Sequence, residues 1–143
     1  MNHFIGLMVI IIMNAWLNEA CKLNQIEVIN NLPPGKILKV HCRSKNPDAD
    51  LRVVELRNAT VPRSFFFEEA IVYYKRREIF CLLSYQDTFE NYQDIRVYRA
   101  AARYRCGQLR RWIAKKDGLY STRSNNTPPG FVLPWLVRLP NNS

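Results

Sequence analysis

The 143-residue chain reads as all-β: a small antiparallel β-sandwich stabilised by disulfides. Three observations predict this. Apolar and β-branched residues come in short runs, and one of them alternates strictly with polar residues, the period of a half-buried strand. Turn-forming residues recur between the runs at roughly ten-residue spacing, which suits a sandwich of six or seven short strands. Four cysteines, Cys21, Cys42, Cys81 and Cys106, make an even set that an oxidising compartment would pair.

Residues 1–20 read as a secretory signal peptide. The run Phe4 to Met13 carries no charge and is followed by Asn18-Glu19-Ala20. It is shorter than the roughly 20 apolar residues that cross a bilayer, and its length suits a signal h-region. The n-region has no lysine or arginine, and Asn18 is not a small residue, so a buried N-terminal helix is the competing reading. Cleavage after Ala20 would release residues 21–143 as a secreted, extracellular chain. Its formal charge is one unit above the +9 of the whole chain, because Glu19 is the one charged residue removed. No later apolar run approaches spanning length, so no transmembrane segment is expected after cleavage.

The domain proper is expected over residues 21–120. Ile26–Asn30 is a β-branched run, and Asn31-Leu32-Pro33-Pro34-Gly35 is a strong turn signal. Leu38, Val40 and Cys42 then alternate with Lys39, His41 and Arg43, so these two segments read as a hairpin. The loop Asn46-Pro47-Asp48-Ala49-Asp50 follows, and then strands at 51–56, 64–67 and 79–85. Between Gln93 and Lys116 two readings compete. Ala100-Ala101-Ala102 and arginines at 96, 99 and 103 fit one face of a helix. Ile95–Tyr98 and a last strand around Trp112 fit a sheet. Asp117-Gly118 marks a turn. Residues 121–143 form a Pro-containing C-terminal tail, in which Pro134 and Pro140 bar a regular helix or a central strand. It would lie along the sandwich as an irregular extension or move freely. The expected core draws on Ile26, Val28, Leu38, Val40, Ile79, Leu83 and Trp112.

Little points to catalysis. His41 is the one histidine after cleavage, so acid–base chemistry on a histidine pair cannot be assembled. No G-x-S-x-G motif and no Gly-rich phosphate loop occurs. Asp48, Asp50 and the Glu68-Glu69 pair read as solvated loop acids, and no C-x-x-C spacing suggests zinc. No enzymatic activity, cofactor or metal is expected. The distinctive chemistry is basic: Arg96, Arg99, Arg103, Arg105, Arg110, Arg111, Lys115 and Lys116, interleaved with Tyr98, Tyr104 and Trp112. In a secreted protein such a stretch suits a receptor surface, an anionic wall polymer or a membrane surface rather than nucleic acid. It would equally serve as a solvated face that keeps the domain soluble. N-x-[ST] glycan acceptors occur at Asn58, Asn125 and Asn141.

Several segments together carry a family resemblance: Ile26-Glu27-Val28-Ile29-Asn30-Asn31-Leu32, the block Leu38 to Lys45 with its His41-Cys42-Arg43-Ser44-Lys45 core, Phe80-Cys81, Arg105-Cys106, and Trp112 with Asp117-Gly118-Leu119-Tyr120. From about Ile26 to Tyr120 the chain resembles the plant self-incompatibility protein family, the S-protein homologues. The resemblance implies a small secreted antiparallel sandwich and resolves residues 93–116 in favour of strands. It also implies an extracellular recognition or signalling ligand, of the kind that acts between pollen and pistil through a cell-surface receptor. A cationic secreted defence protein binding anionic membranes or wall polyanions is the alternative. Loops 44–50 and 86–93 are the expected carriers of specificity.

Two departures stand out. Arg52 occupies the place of a glycine usual in relatives, which would demand a different turn if that glycine needs positive φ. Arg110 stands near the usual place of a fourth cysteine, whereas Cys21 is a cysteine where relatives usually have none. If Ile26–Leu32 and Ile37–Cys42 pair as a hairpin, Cys42 lies opposite about Ile26, with Cys21 just beyond. That favours Cys21–Cys42 and Cys81–Cys106, unless Cys21 is a free thiol at a frayed terminus.

Overall fold

The computed structural model describes residues 22–69, 71–72, 75–103 and 105–140, so the leader, Cys21 and Asn141 lie outside the described residues. Twelve strands are described, in chain order: β1 (Asn24–Asn30), β2 (Leu38–Lys45), β3 (Ala49–Leu56), β4 (Arg63–Phe67), β5 (Ile71–Val72), β6 (Lys75–Arg76), β7 (Glu78–Gln86), β8 (Glu90–Arg99), β9 (Leu109–Lys115), β10 (Gly118–Thr122), β11 (Gly130–Leu133) and β12 (Leu136–Arg138). No helix occurs among the described residues. The first sheet runs β11-β10-β9-β1-β4 and the second β12-β8-β7-β2-β3, while β5 and β6 form a small hairpin of their own. Neighbours pair antiparallel except β1 and β9, which run parallel from Gln25↔Leu109 to Asn30↔Ala114.

The strands are those that alternation predicts. Along β1, β2, β7 and β9 every second residue is buried, and the core contains all seven expected residues, from Ile26 and Val28 to Leu83 and Trp112. Trp112 also ties the sheets together, its indole N–H donating to the Val97 carbonyl of β8 across the interior at 3.3 Å.

The expected β1–β2 hairpin does not exist. β1 and β2 lie in different sheets, and the Pro33-Pro34-Gly35 turn carries the chain from one to the other. Asn30 directs that crossing. Buried at the end of β1, its amide donates to Lys36 O (2.9 Å) and Leu56 O (2.7 Å), and its oxygen accepts from Leu32 N–H. The disulfide expectation falls with the hairpin. Cys42 of β2 sits directly across from Cys81 of β7, the two Cα atoms 4.0 Å apart, and these two are bridged. Antiparallel neighbours of the close, non-hydrogen-bonded kind have that spacing, so adjacent strands bring the thiols together without any rearrangement. Cys106 is also disulfide-bonded, so neither half of the expected pairing, Cys21–Cys42 with Cys81–Cys106, stands.

Residues 93–116 are strands, and the helix-like spacing of the arginines has a local cause. A β-bulge at Ile79/Phe80 opposite Tyr98 and Arg96 leaves Val97 as an extra residue in β8. Val97 and Tyr98 both turn inward, so Arg96 and Arg99, three apart, both face out.

The C-terminal segment is neither irregular nor separate. β11 adds to β10 at the edge of the first sheet and β12 adds to β8 at the edge of the second, with Pro134 and Trp135 crossing between them. The crossing is anchored by Trp135, whose indole donates to Lys115 O (2.7 Å) and whose ring meets Tyr85 edge-on at 5.1 Å. Gln93 donates to Pro134 O at 2.6 Å. Gly118 makes room for the strap: its φ is +153°, and a Cβ there would collide with the Leu133 carbonyl oxygen. Prolines confine these strands to edges, as expected, but edges are what this segment supplies.

Candidate functional site

The two loops expected to carry specificity lie at opposite ends of the second sheet. β2 runs from Leu38 to the turn after Lys45, and the antiparallel β7 runs back to the turn after Gln86. Eight residues of strand, roughly 26 Å at about 3.3 Å per residue, separate them.

The first turn is pinned by side chains. Asn46 has φ +57° and precedes Pro47 through a cis peptide bond. The Ser44 hydroxyl donates to Pro47 O (2.9 Å), and the Asn46 amide donates to Arg76 O (3.1 Å). Behind it, Asp50 Oδ1 meets His41 Nε2 at 2.8 Å and accepts Arg52 N–H at 2.9 Å. The Arg52 N–H and then His41 hold the Asp50 carboxyl below its usual range. Here β3 bulges against β2, between the partners of His41 and Arg43. Arg52 occupies the bulge at φ +64°. No different turn is built: arginine itself takes the left-handed conformation. His41, the one side chain with catalytic potential, meets the carboxylate that braces this bulge.

The second turn, Asp87-Thr88-Phe89, is closed by Asp87 N–H to Phe89 O (3.0 Å) and held to the β1–β2 crossing by the Lys36–Asp87 ion pair (2.8 Å). That contact, by hydrogen bond and by charge, lowers the Asp87 pKa.

The eight basic residues do not form one surface. Arg96 and Arg99 are exposed on the outer face of the second sheet, both within 3.5 Å of Glu78. Arg111 and Lys115 belong to the opposite outer face, where Arg111 meets Glu27 at 3.1 Å and Lys115 stacks over Tyr120 at 4.3 Å. Arg110 points into the sandwich, 9% exposed, over the Tyr98 ring, and burial lowers its pKa. Arg105 meets Glu69, and Arg103 and Lys116 are exposed in loops.

Glu69 overturns the reading of Glu68-Glu69 as solvated acids. It is 5% exposed and accepts from Tyr98 Oη (2.5 Å) and from Arg105 N–H (2.7 Å). Burial alone would raise its pKa, but these hydrogen bonds outweigh burial and hold it below the usual glutamate value. Burial, and then Glu69, push the Tyr98 hydroxyl far up. Asn24 completes the cluster, its amide 3.4 Å from Tyr98 Oη and its oxygen accepting Gln108 N–H. The cluster latches the loop between β8 and β9 to the body. Of the glycan acceptors, Asn58 lies in an exposed turn with its oxygen accepting from Thr60 N–H and Oγ1, and Asn125 accepts from Arg111 Nη2.

The model of the family described as plant self-incompatibility protein S1 matches residues 25–135. The chain belongs to that family. S-protein homolog 25 of Arabidopsis thaliana is 39% identical over 137 residues, 94% of this chain and 98% of that protein. S-protein homolog 30 of the same plant is 37% identical over 121 residues, 83% and 92% of the two chains. A solved S-protein homologue, from a family described as widespread, small, highly stable, secreted plant proteins, superposes with a TM-score of 0.60 at 27% identity, covering 82% of this chain and 97% of its own. The chain is thus a secreted S-protein homologue. The family match runs past Tyr120 to residue 135, so the family domain includes β11 and the Trp135 crossing.

Proposed function

We propose that this S-protein homologue is an extracellular recognition ligand that acts by binding a cell-surface receptor and not by catalysis. The observation that carries this reading is that both exposed turns are fastened by hydrogen bonds. Turn 46–48 is bonded to Ser44 of β2 and to Arg76 of β6, and turn 87–89 is closed on itself and bonded to Lys36 and to Asn91 of β8, at the two ends of a disulfide-bridged sheet. A turn ordered before contact loses little entropy on binding, which suits specific recognition by a small protein. The alternative, a cationic protein that attaches to any anionic surface, needs its charge on one face. Instead Arg96, Arg99, Arg105 and Arg111 are taken up by carboxylates and are spread over both faces.

Binding of labelled mature protein to intact plant cells tests the reading. Saturable binding that survives salt raised well past a Debye length of about 8 Å is expected. Binding that is non-saturable, salt-abolished and reproduced on anionic vesicles would sink it. Inhibition of pollen growth by the purified protein tests whether this recognition serves self-incompatibility.

A further inference from the structure

The strap formed by β11, Trp135 and β12 closes one side of the sandwich. On the other side, between edge strands β3 and β4, no described strand bridges the two sheets. There a groove of about 410 Å³ is walled by Leu51, Phe65, Phe67, Ile79 and Arg77. We propose that this groove is a docking site for an extended acidic segment of a partner protein, which adds as a strand to the free edge of β4 and places apolar side chains against the phenylalanines. The proposal rests on the reading of the chain as a ligand for a protein receptor.

Three features carry it. First, the main-chain groups of β4 are offered outward. Gln25 N–H bonds to Gln108 O toward β9, so the alternate residues Asn24, Ile26 and Val28 face β4 and meet Phe67, Phe65 and Arg63. By the same alternation Ser64 and Phe66 turn their N–H and C=O groups away from β1, where no described strand pairs with them. Second, this edge lacks the usual guards against strand addition. β3 is blunted by the Arg52 bulge, and β11 and β12 are short and bracketed by prolines, but within β4 Arg63 is the one charged residue among Ser64 and three phenylalanines. Phe66 is 62% exposed.

Third, the charge at this edge is positive and uncommitted. Arg63 stacks over Phe65 at 4.6 Å and reaches Leu51 O on β3, while Arg77 stacks over Phe67 at 5.5 Å. The Nε of each is buried without a hydrogen-bond acceptor. Neither Arg63 nor Arg77 forms an ion pair among the described residues, and Arg77 also donates to Glu68 O at 3.1 Å. The nearby Asp50 and Glu55 are engaged by His41 and Arg57, leaving Asp48 and Glu68 as the exposed acids. Arg63 and Arg77 therefore leave their charge unpaired at this edge, whereas Arg96, Arg99, Arg105 and Arg111 are matched by carboxylates. A second copy of the chain would oppose like charges across β4. An acidic strand with apolar residues at alternate positions meets both the aromatic wall and the guanidinium groups.

The test uses purified mature protein and a fluorescein-labelled peptide with apolar residues at alternate positions, Glu-Val-Asp-Phe-Glu-Val-Asp-Phe-Glu. The expected result is saturable anisotropy with amide shifts centred on residues 64–67. Affinity should fall about tenfold or more in Phe66→Pro, which removes an outward N–H while keeping the β1 bonds, and in Arg63→Glu with Arg77→Glu. Arg96→Glu with Arg99→Glu should change it by no more than about twofold. A peptide N-methylated at alternate residues should not bind the unmodified protein, a control that does not depend on any variant folding. Equal binding of the N-methylated peptide, or no shift at residues 64–67, would overturn the proposal. So would displacement by an oligogalacturonate of equal charge, or a dimer that Phe66→Pro dissolves. Because no cells are involved, failure here leaves the receptor reading intact. Conversely, peptide binding without saturable cell binding removes the receptor reading and leaves the groove.

Discussion

Replacing Arg52 with glycine is expected to stabilise this protein, although Arg52 lies within a strand, where glycine normally weakens. The residue sits in the β3 bulge at φ +64°. An L-residue in the left-handed region carries a cost of about 1–2 kcal/mol from the approach of Cβ to the carbonyl oxygen. Glycine avoids that cost and gives back about 0.5–1 kcal/mol in extra unfolded-state entropy. The side chain adds little to offset the relief: Arg52 is exposed and forms no ion pair among the described residues. Its structural contact is the main-chain N–H donated to Asp50 at 2.9 Å, which glycine retains. The net expectation is a gain of about 0.5–1 kcal/mol, or a rise in Tm of about 2–5 °C for a domain of this size. Urea unfolding at neutral pH should show a higher midpoint with an unchanged slope. Arg52→Val, β-branched at the same φ, should lose more than 1 kcal/mol or so. If Arg52→Gly lowers the midpoint, or if Val and Gly behave alike, the strain argument is wrong and the arginine side chain supports the bulge by another route.

Glu69→Gln should destabilise by about 1–3 kcal/mol at neutral pH, since a buried carboxylate accepting from Tyr98 and Arg105 is replaced by an amide with one acceptor atom fewer. Its pH dependence carries a sign. The folded pKa lies below that of an ordinary glutamate, so the stabilisation is complete above the unfolded-state pKa and is lost as pH falls through the folded one. Acid unfolding followed by circular dichroism should be shallower in the variant. Cys42→Ala with Cys81→Ala opens a link of sequence separation 39 and should cost about 4 kcal/mol by chain entropy; non-reducing peptide mapping of the parent should recover the Cys42–Cys81 peptide. Trp135→Ala removes the anchor between Lys115 O and Tyr85, so residues 123–140 should become sensitive to limited proteolysis before the rest unfolds.

What was legible in the sequence was legible because it is local. Period-two alternation marks which side chains of a strand face inward whatever the strand's neighbours are, and the seven expected core residues are therefore all buried. The Pro33-Pro34-Gly35 turn was equally clear as a reversal. A turn signal, however, says that the chain changes direction and not which sheet receives it; the buried Asn30 amide, bonded to Lys36 and to the distant Leu56, makes that choice. The same limit applies to the site. Eight basic residues within 21 positions look like one patch, but alternation along β9 and the bulge in β8 send them to two outer faces and the interior.

The sequence by itself thus determined the fold class, the core-facing residues, secretion and the family, since each depends on residue order and spacing along the chain. Tertiary structure alone decided the Cys42–Cys81 bridge, the burial of Glu69, the strap that closes one side, and the basic edge at β4. Each of these joins residues dozens of positions apart, and their partners are chosen by which strands lie side by side, a choice that free energy makes over the whole chain and that no local window contains.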